Sequence, residues 1–421
     1  MAIAGRGILR RLWTALGPGL ITGAADDDPS GIATYSQAGA QFGFALTWTM
    51  FLTLPFMTAI QIISACIGWE TRRGLARNIA LRLPSPVLYS LVALLVVANT
   101  VNIAADLAAM GEAARLVIGG VTLPYALIFG LACLLAEIFV PYHRYAGILK
   151  LLTLVLLVYV AAAFSVHVPW NQVVLSTLIP SLSLNRDLLL MIVAVFGTTI
   201  SPYLFFWQAS QEAEESRLSH RRRLQAHSAG REDYQRAISI DTWVGMFFSN
   251  IIAFFIIVTT AATLNTHGVT RIETAAQAAE ALRPVAGELT FLLFSLGIIG
   301  TGLLAVPVLA GSAAYAVAES FHLPGSLELP AGRAIGFYAI VAAATLGGAG
   351  LTLTTIDPIA MLFWTAVING IVAVPIMAAM MLVVSSKKRR LSLPRWLKPF
   401  GWLATGLMAI SVAMLAWSSL S

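Results

Sequence analysis

The chain has 421 residues, of which 58% are apolar and only 11% charged. Soluble domains carry about 25% charged residues, so this composition excludes a soluble globular protein and points to a membrane protein. The net charge of +6 does not point to nucleic acid, because the basic residues sit in short connections between apolar runs.

The apolar runs are rich in Leu, Val, Ala and Gly, and many reach the roughly 20 residues that a membrane-crossing helix needs. They read as helices and not as barrel strands. Eleven spans are expected, at about 17–41, 46–68, 87–110, 121–140, 146–167, 187–211, 238–263, 289–319, 334–353, 358–385 and 400–417. No segment between them is long enough to form a soluble domain. Arg10 and Arg11, an apolar run and Gly23-Ala24-Ala25 resemble a signal peptide, but Pro18 and Gly19 interrupt the apolar run.

The first span contains three consecutive carboxylates, Asp26, Asp27 and Asp28, followed at once by Pro29, Ser30 and Gly31. A carboxylate within a bilayer is costly, so such a cluster marks a functional site. Proline removes a backbone donor, so the helix is expected to break here. The freed carbonyls beside a carboxylate suit a hard cation. The bland alternative is a solvated polar loop or vestibule.

The third span carries Asp106 together with Asn99 and Asn102, and a lone carboxylate at this depth needs a partner or water. A structural hydrogen-bond role for Asp106 is favoured over a proton relay. Glu112 and Glu137, near the ends of spans three and four, are expected to be interface-level structural residues. Cys66 and Cys133 lie in separate spans and imply neither a disulfide nor a zinc site.

The sixth span has its own interruption, Gly197-Thr198-Thr199-Ile200-Ser201-Pro202-Tyr203. A single Pro-kinked helix is common. Interruptions in spans one and six are corresponding breaks in two five-span halves, the pointer to an inverted-repeat carrier with its site between them. Gln208 and Gln211 follow and are candidates to hold ion-bound water; Glu212, Glu214 and Glu215 read as a solvated helix end. The remaining polar inserts are Thr266–Glu288, expected to form a short amphipathic helix outside the membrane, and Ser385–Lys398. Asp357-Pro358 should cap the tenth span. Asn369 lies within that span, and none of the six histidines is at ligand spacing from another.

With the N-terminus placed in the cytoplasm, 22 of the 26 Lys and Arg residues fall on the inner side, leaving Arg115, Arg186, Arg271 and Arg283 outside. This bias supports both the count and a multi-pass arrangement in the cell's inner membrane, N-terminus cytoplasmic and C-terminus extracytoplasmic. The basic clusters Arg221–Arg223 and Lys387–Arg390 then read as topology and lipid-headgroup signals.

The residues from Gly17 to Gly43 resemble the first span of the Nramp divalent-metal transporters, whose signature there is Asp-Pro-Gly-Asn; Asp28-Pro29-Ser30-Gly31 occupies it. Ala104-Ala105-Asp106-Leu107-Ala108 resembles that family's third-span motif, and Gly197–Tyr203 occupies the place of its Met-Pro-His. The resemblance implies an all-α fold of about eleven helices with an inverted 5+5, LeuT-like repeat. Residues 1–167 would form the first repeat, 168–385 the second, and 386–421 a peripheral eleventh helix. It implies Asp28 and the carbonyls of Ala25 and Thr198 as cation ligands, beside Ser201 and Gly31. Asp27 and Asp26 could hold the outer water shell or line the entry, and both roles stand open.

The departures also carry information. The family's metal-binding Asn is Gly31, its Met is Ser201, its neighbouring His is Tyr203, and an acidic third-span position is Ala109. This pattern is similar to the Nramp-related magnesium transporters. A thioether favours later transition metals, whereas magnesium is held by carboxylates and retained waters. A wider pocket lined by Asp28, Ser201 and backbone oxygens fits such an ion. With Tyr203 and Ala109 replacing proton carriers, the expectation is import of magnesium, and also manganese, by alternating access without obligatory proton coupling. The alternative is a proton-coupled manganese or iron importer. An aspartate-motif membrane enzyme is disfavoured because there is no second acidic motif inside the membrane. No cofactor is implied. The expected partners are the transported divalent ion and the lipid bilayer, with no nucleic acid.

Overall fold

A computed structural model describes residues 18–140, 154–180, 185–223, 231–327, 329–354, 356–386, 391 and 393–420. The described chain is helical: α1 (Pro18–Asp26), α2 (Pro29–Phe42), α3 (Trp48–Thr71), α4 (Leu75–Ala80), α5 (Ser85–Ile118), α6 (Thr122–Phe139), α7 (Leu157–Ser165), α8 (Trp170–Leu178), α9 (Arg186–Thr199), α10 (Pro202–Arg223), α11 (Arg231–Thr263), α12 (Ala275–Glu280), α13 (Arg283–Ala286), α14 (Thr290–Ser320), α15 (Ile335–Leu351), α16 (Pro358–Ser385) and α17 (Leu397–Leu420). Arg6, Arg10, Arg11, His143, Arg144, Lys150, His227 and Lys387–Arg390 lie outside the described residues.

The expected spans fall on helices where residues are described; residue 17 of the first and 146–153 of the fifth lie outside the described residues. Among the described residues eight helices are long and apolar enough to cross a membrane, and the bent pair 154–165 and 170–178 makes a ninth. The other two are the first span, split into α1 and α2, and the shorter apolar α15. Three boundaries differ from expectation. The fifth span turns through 114° into α8, where a connection is expected. The sixth continues as α10 to Arg223, because Glu212–Arg223 is composed largely of good helix formers. The polar insert after α11 holds two short helices, α12 and α13, the first opened by a Thr274–Gln277 capping box.

Backbone approach fixes where the broken first span sits. Gly19 and Gly23 lie one turn apart on α1 and face Gly245 on α11. A Cβ on Gly23 would stand 2.3 Å from the Gly245 carbonyl, so only glycine permits the crossing. Asp241 of α11 then receives the Gly19 N–H at 2.7 Å and the Leu20 N–H at 3.3 Å. These bonds satisfy amides at the start of α1 that have no intrahelical acceptor. A second close crossing, Gly197 of α9 against Gly370 of α16, places the end of α9 deep in the bundle.

Candidate functional site

The first break is built by its own sequence. Asp28 is the N-cap of α2: its Oδ1 accepts from the Gly31 N–H and from the Ser30 hydroxyl, each at 2.7 Å, and Pro29 opens the helix. One carboxylate oxygen is therefore committed to the cap. The other, Oδ2, faces Asn102 Nδ2 of α5 and the Tyr203 hydroxyl of α10, both at 3.4 Å.

The second break lies at Ile200–Ser201, between α9 and α10. The Ser201 hydroxyl donates back to the carbonyls of Thr198 at 2.7 Å and Gly197 at 3.0 Å, covering the end of α9. Tyr203, fully buried, extends to the other break and donates to the Ala25 carbonyl at 2.9 Å. Both carbonyls expected to face a cation thus carry a hydroxyl donor in this arrangement.

A wide pocket was expected beside Gly31 and Ser201, and the structure corrects this. A Cβ at Gly31 would stand 3.0 Å from Thr198 Oγ1 and 3.3 Å from the Asp26 carbonyl. The Tyr203 hydroxyl crosses from the second break to the first, 2.9 Å from the Ala25 carbonyl and 3.4 Å from Asp28 Oδ2. Two larger cavities, of about 510 and 550 Å³, flank the bundle, and neither has Asp28 in its lining.

The other carboxylates are corrected as well. Asp26 and Asp27 are buried, so the solvated-vestibule alternative fails. They share one hydroxyl: Ser249 of α11 lies 2.6 Å from Asp26 Oδ2 and 3.0 Å from Asp27 Oδ1. Their remaining oxygens have no hydrogen-bond partner among the described residues. Asp106 is buried, and neither of its oxygens has a hydrogen-bond partner among the described residues. Glu137 is buried rather than at the interface, and neither of its oxygens is bonded among the described residues. The Gln208 amide nitrogen donates to the Thr242 hydroxyl at 2.9 Å, and its oxygen has no partner among the described residues. Glu212 and Glu214, expected as a solvated helix end, are 2% and 8% exposed, because α10 continues through the protein interior. Among the described residues no three His, Cys, Asp or Glu side chains converge to hold a metal, so any cation at this site relies on backbone and hydroxyl oxygens around Asp28.

Ser249 was not singled out from the sequence. It sits in a long apolar span with no period or motif to mark it. Asn102 had a signal, since it lies one helical turn before Asp106 on the same face.

A carboxylate-bearing break in the first span, met by the hydroxyls of a second break in the sixth, defines a LeuT-like broken-helix membrane carrier. The comparisons agree. Residues 19–418 match the family model described as natural resistance-associated macrophage protein-like, Nramp. The chain is 29% identical over 321 residues to a protein of Yersinia enterocolitica named divalent metal cation transporter MntH, covering 73% of this chain and 74% of that one. It is 27% identical over 414 residues to the Klebsiella pneumoniae protein of the same name, covering 96% and 92%. Its fold is similar to a crystal structure of the Eremococcus coleocola manganese transporter, with a TM-score of 0.71 at 16% identity over 98% of this chain and 95% of that one. It also resembles Mhp1, a nucleobase-cation-symport-1 family transporter, with a TM-score of 0.60 at 13% identity, covering 96% and 92%. The chain belongs to the Nramp family. It is a multi-pass membrane transporter, not an enzyme.

Proposed function

We propose that the protein imports divalent cations by alternating access, with magnesium as the main cargo and manganese also carried. The observation that carries this reading is the donor set at the two breaks. Asp28 Oδ2, the carbonyls of Ala25 and Thr198 and the hydroxyl of Ser201 are all hard oxygens. Such ligands suit magnesium, calcium and manganese better than softer metals. The names of the MntH relatives support a divalent cation as the class of cargo.

In this reading the cation approaches Asp28 and displaces the Tyr203 hydroxyl from Ala25, releasing the carbonyl. Repeats of residues 1–167 and 168–385 then rock against each other around the site, with 386–421 peripheral. Asp26 and Asp27, sharing Ser249, hold or pass the hydrated ion. The protein lies in the cell's inner membrane, N-terminus inside. A potential of 100 mV supplies about 4.6 kcal/mol to a divalent ion, so influx needs no proton.

A second reading, proton-coupled manganese import, is favoured by one observation: Asp106 is buried with neither oxygen bonded among the described residues, one turn beyond the Asn102 that faces Asp28, as a relay would be. Uptake into proteoliposomes at a set potential, with internal pH recorded, separates the two. Magnesium entry without acidification is expected, and Asp106→Asn should leave it within about twofold. Manganese entry with acidification that Asp106→Asn abolishes, and no magnesium entry, would overturn the proposal.

A further inference from the structure

One of the two large cavities has a lining that does not suit a cation. It encloses about 510 Å³ where α3 ends, α4 begins and α14 ends, and its walls include Arg73, Arg77, Arg217, Ser210, Glu319 and His322. Three guanidinium groups outnumber the two carboxylates in the same walls, Glu214 and Glu319, and the net positive charge favours an anion over a divalent cation.

The two acids of this cavity each accept a hydrogen bond from the protein, and together they offset two of the three guanidinium charges. Glu319 accepts the Arg77 backbone N–H at 3.1 Å. Glu214 accepts the Tyr315 hydroxyl at 2.8 Å, and that hydroxyl accepts the Leu327 N–H at 3.1 Å. The donors, by contrast, are mostly unspent. The side chains of Arg73 and Arg77 donate no hydrogen bond among the described residues, and Arg217 uses only its Nε, to the Arg72 carbonyl at 3.0 Å. Ser210, also in the lining, is 3% exposed, and its hydroxyl is packed beside Gly74. Ser210, Glu214 and Arg217 follow at helical spacing on α10, so one face of that helix forms the wall.

The cavity also adjoins exposed apolar surface. Leu323, in its lining, is 42% exposed. Phe321 stacks on Tyr89 with ring centroids 5.4 Å apart, and the two are 58% and 45% exposed. Exposed aromatic rings at the ends of spans mark the level of the membrane interface. A basic pocket between spanning helices at that level fits a lipid phosphate, with the acyl chains along the apolar side. Guanidinium groups bind phosphate oxygens in pairs, which a point charge does not.

We propose that this cavity binds the phosphate headgroup of an anionic phospholipid, bridging α10 to α4 and the end of α14. Because α10 carries Tyr203 at its other end, an occupied cavity would hold the broken sixth span in one position. Bound lipid therefore stabilises this arrangement of the carrier.

The test is thermal unfolding of the purified full chain in detergent, with added dioleoylphosphatidylglycerol, dioleoylphosphatidylcholine or inorganic phosphate. Phosphatidylglycerol should raise the unfolding temperature by about 3 °C, the choline lipid by much less, and phosphate not at all. The Arg73→Gln/Arg77→Gln double variant should lose at least half of that rise, and Arg77→Gln alone a smaller part. Arg333→Gln, an exposed arginine outside the cavity, should keep all of it. The comparison is of lipid-induced shifts, so it survives a variant that is itself less stable. A full shift in both cavity variants, an equal loss in Arg333→Gln, or an equal shift from inorganic phosphate would overturn the proposal.

Discussion

The Tyr203 hydroxyl and the Ala25 carbonyl, 2.9 Å apart, join the two broken spans directly. The bond is made by a fully buried side chain, and it occupies an oxygen proposed to bind the cargo. Phenol and cation compete for one carbonyl. Tyr203→Phe should therefore lower the KM for magnesium about threefold, the size of one modest hydrogen bond. A raised KM in magnesium uptake would show instead that the hydroxyl helps to hold the ion or its water.

Asp28 serves two purposes, and they can be separated. Its Oδ1 caps α2 while its Oδ2 faces Asn102 and Tyr203. Asparagine caps a helix about as well as aspartate, whereas alanine loses about 1 kcal/mol. Asp28→Asn should thus unfold at nearly the wild-type temperature yet lose at least 90% of uptake. Asp28→Ala should lose uptake and some stability together. Normal uptake by a well-folded Asp28→Asn protein would remove the carboxylate from the cation site.

Ser201 marks the choice of metal. Its hydroxyl is turned back onto the carbonyls of Gly197 and Thr198. Ser201→Met would supply a soft sulfur and uncover the Thr198 carbonyl. Cadmium or manganese binding, measured by calorimetry against magnesium, should strengthen by about tenfold relative to the wild type. Unchanged ratios would place residue 201 outside the ion's surroundings.

Packing of the second break rests on a glycine. A Cβ at Gly197 would stand 2.1 Å from the Ala366 carbonyl and 2.4 Å from the Gly370 nitrogen. Backbone atoms cannot move aside as a flexible side chain can. Gly197→Ala should cost about 1–3 kcal/mol and lower the unfolding temperature even with cargo present. A variant as stable as the wild type would mean that α9 and α16 separate easily.

The sequence by itself determined the membrane class, the eleven spans and the two breaks. Each is a local property: a run of apolar residues must leave water, and an Asp-Pro-Ser-Gly stretch ends one helix and caps the next wherever it occurs. The Asp357 cap of α16 was legible for the same reason. What lies across each break was decided only by the tertiary structure. Ser249, 222 positions from Asp27, reaches both Asp26 and Asp27 because glycines let α1 and α11 touch. The Tyr203 hydroxyl, 178 positions from Ala25, reaches its carbonyl because a span's register against its neighbours sets where a side chain ends. The burial of Glu137, Glu212 and Glu214 follows the same rule. Hydropathy tells which segments enter the bilayer, and only packing tells which face of a segment meets protein and which meets lipid.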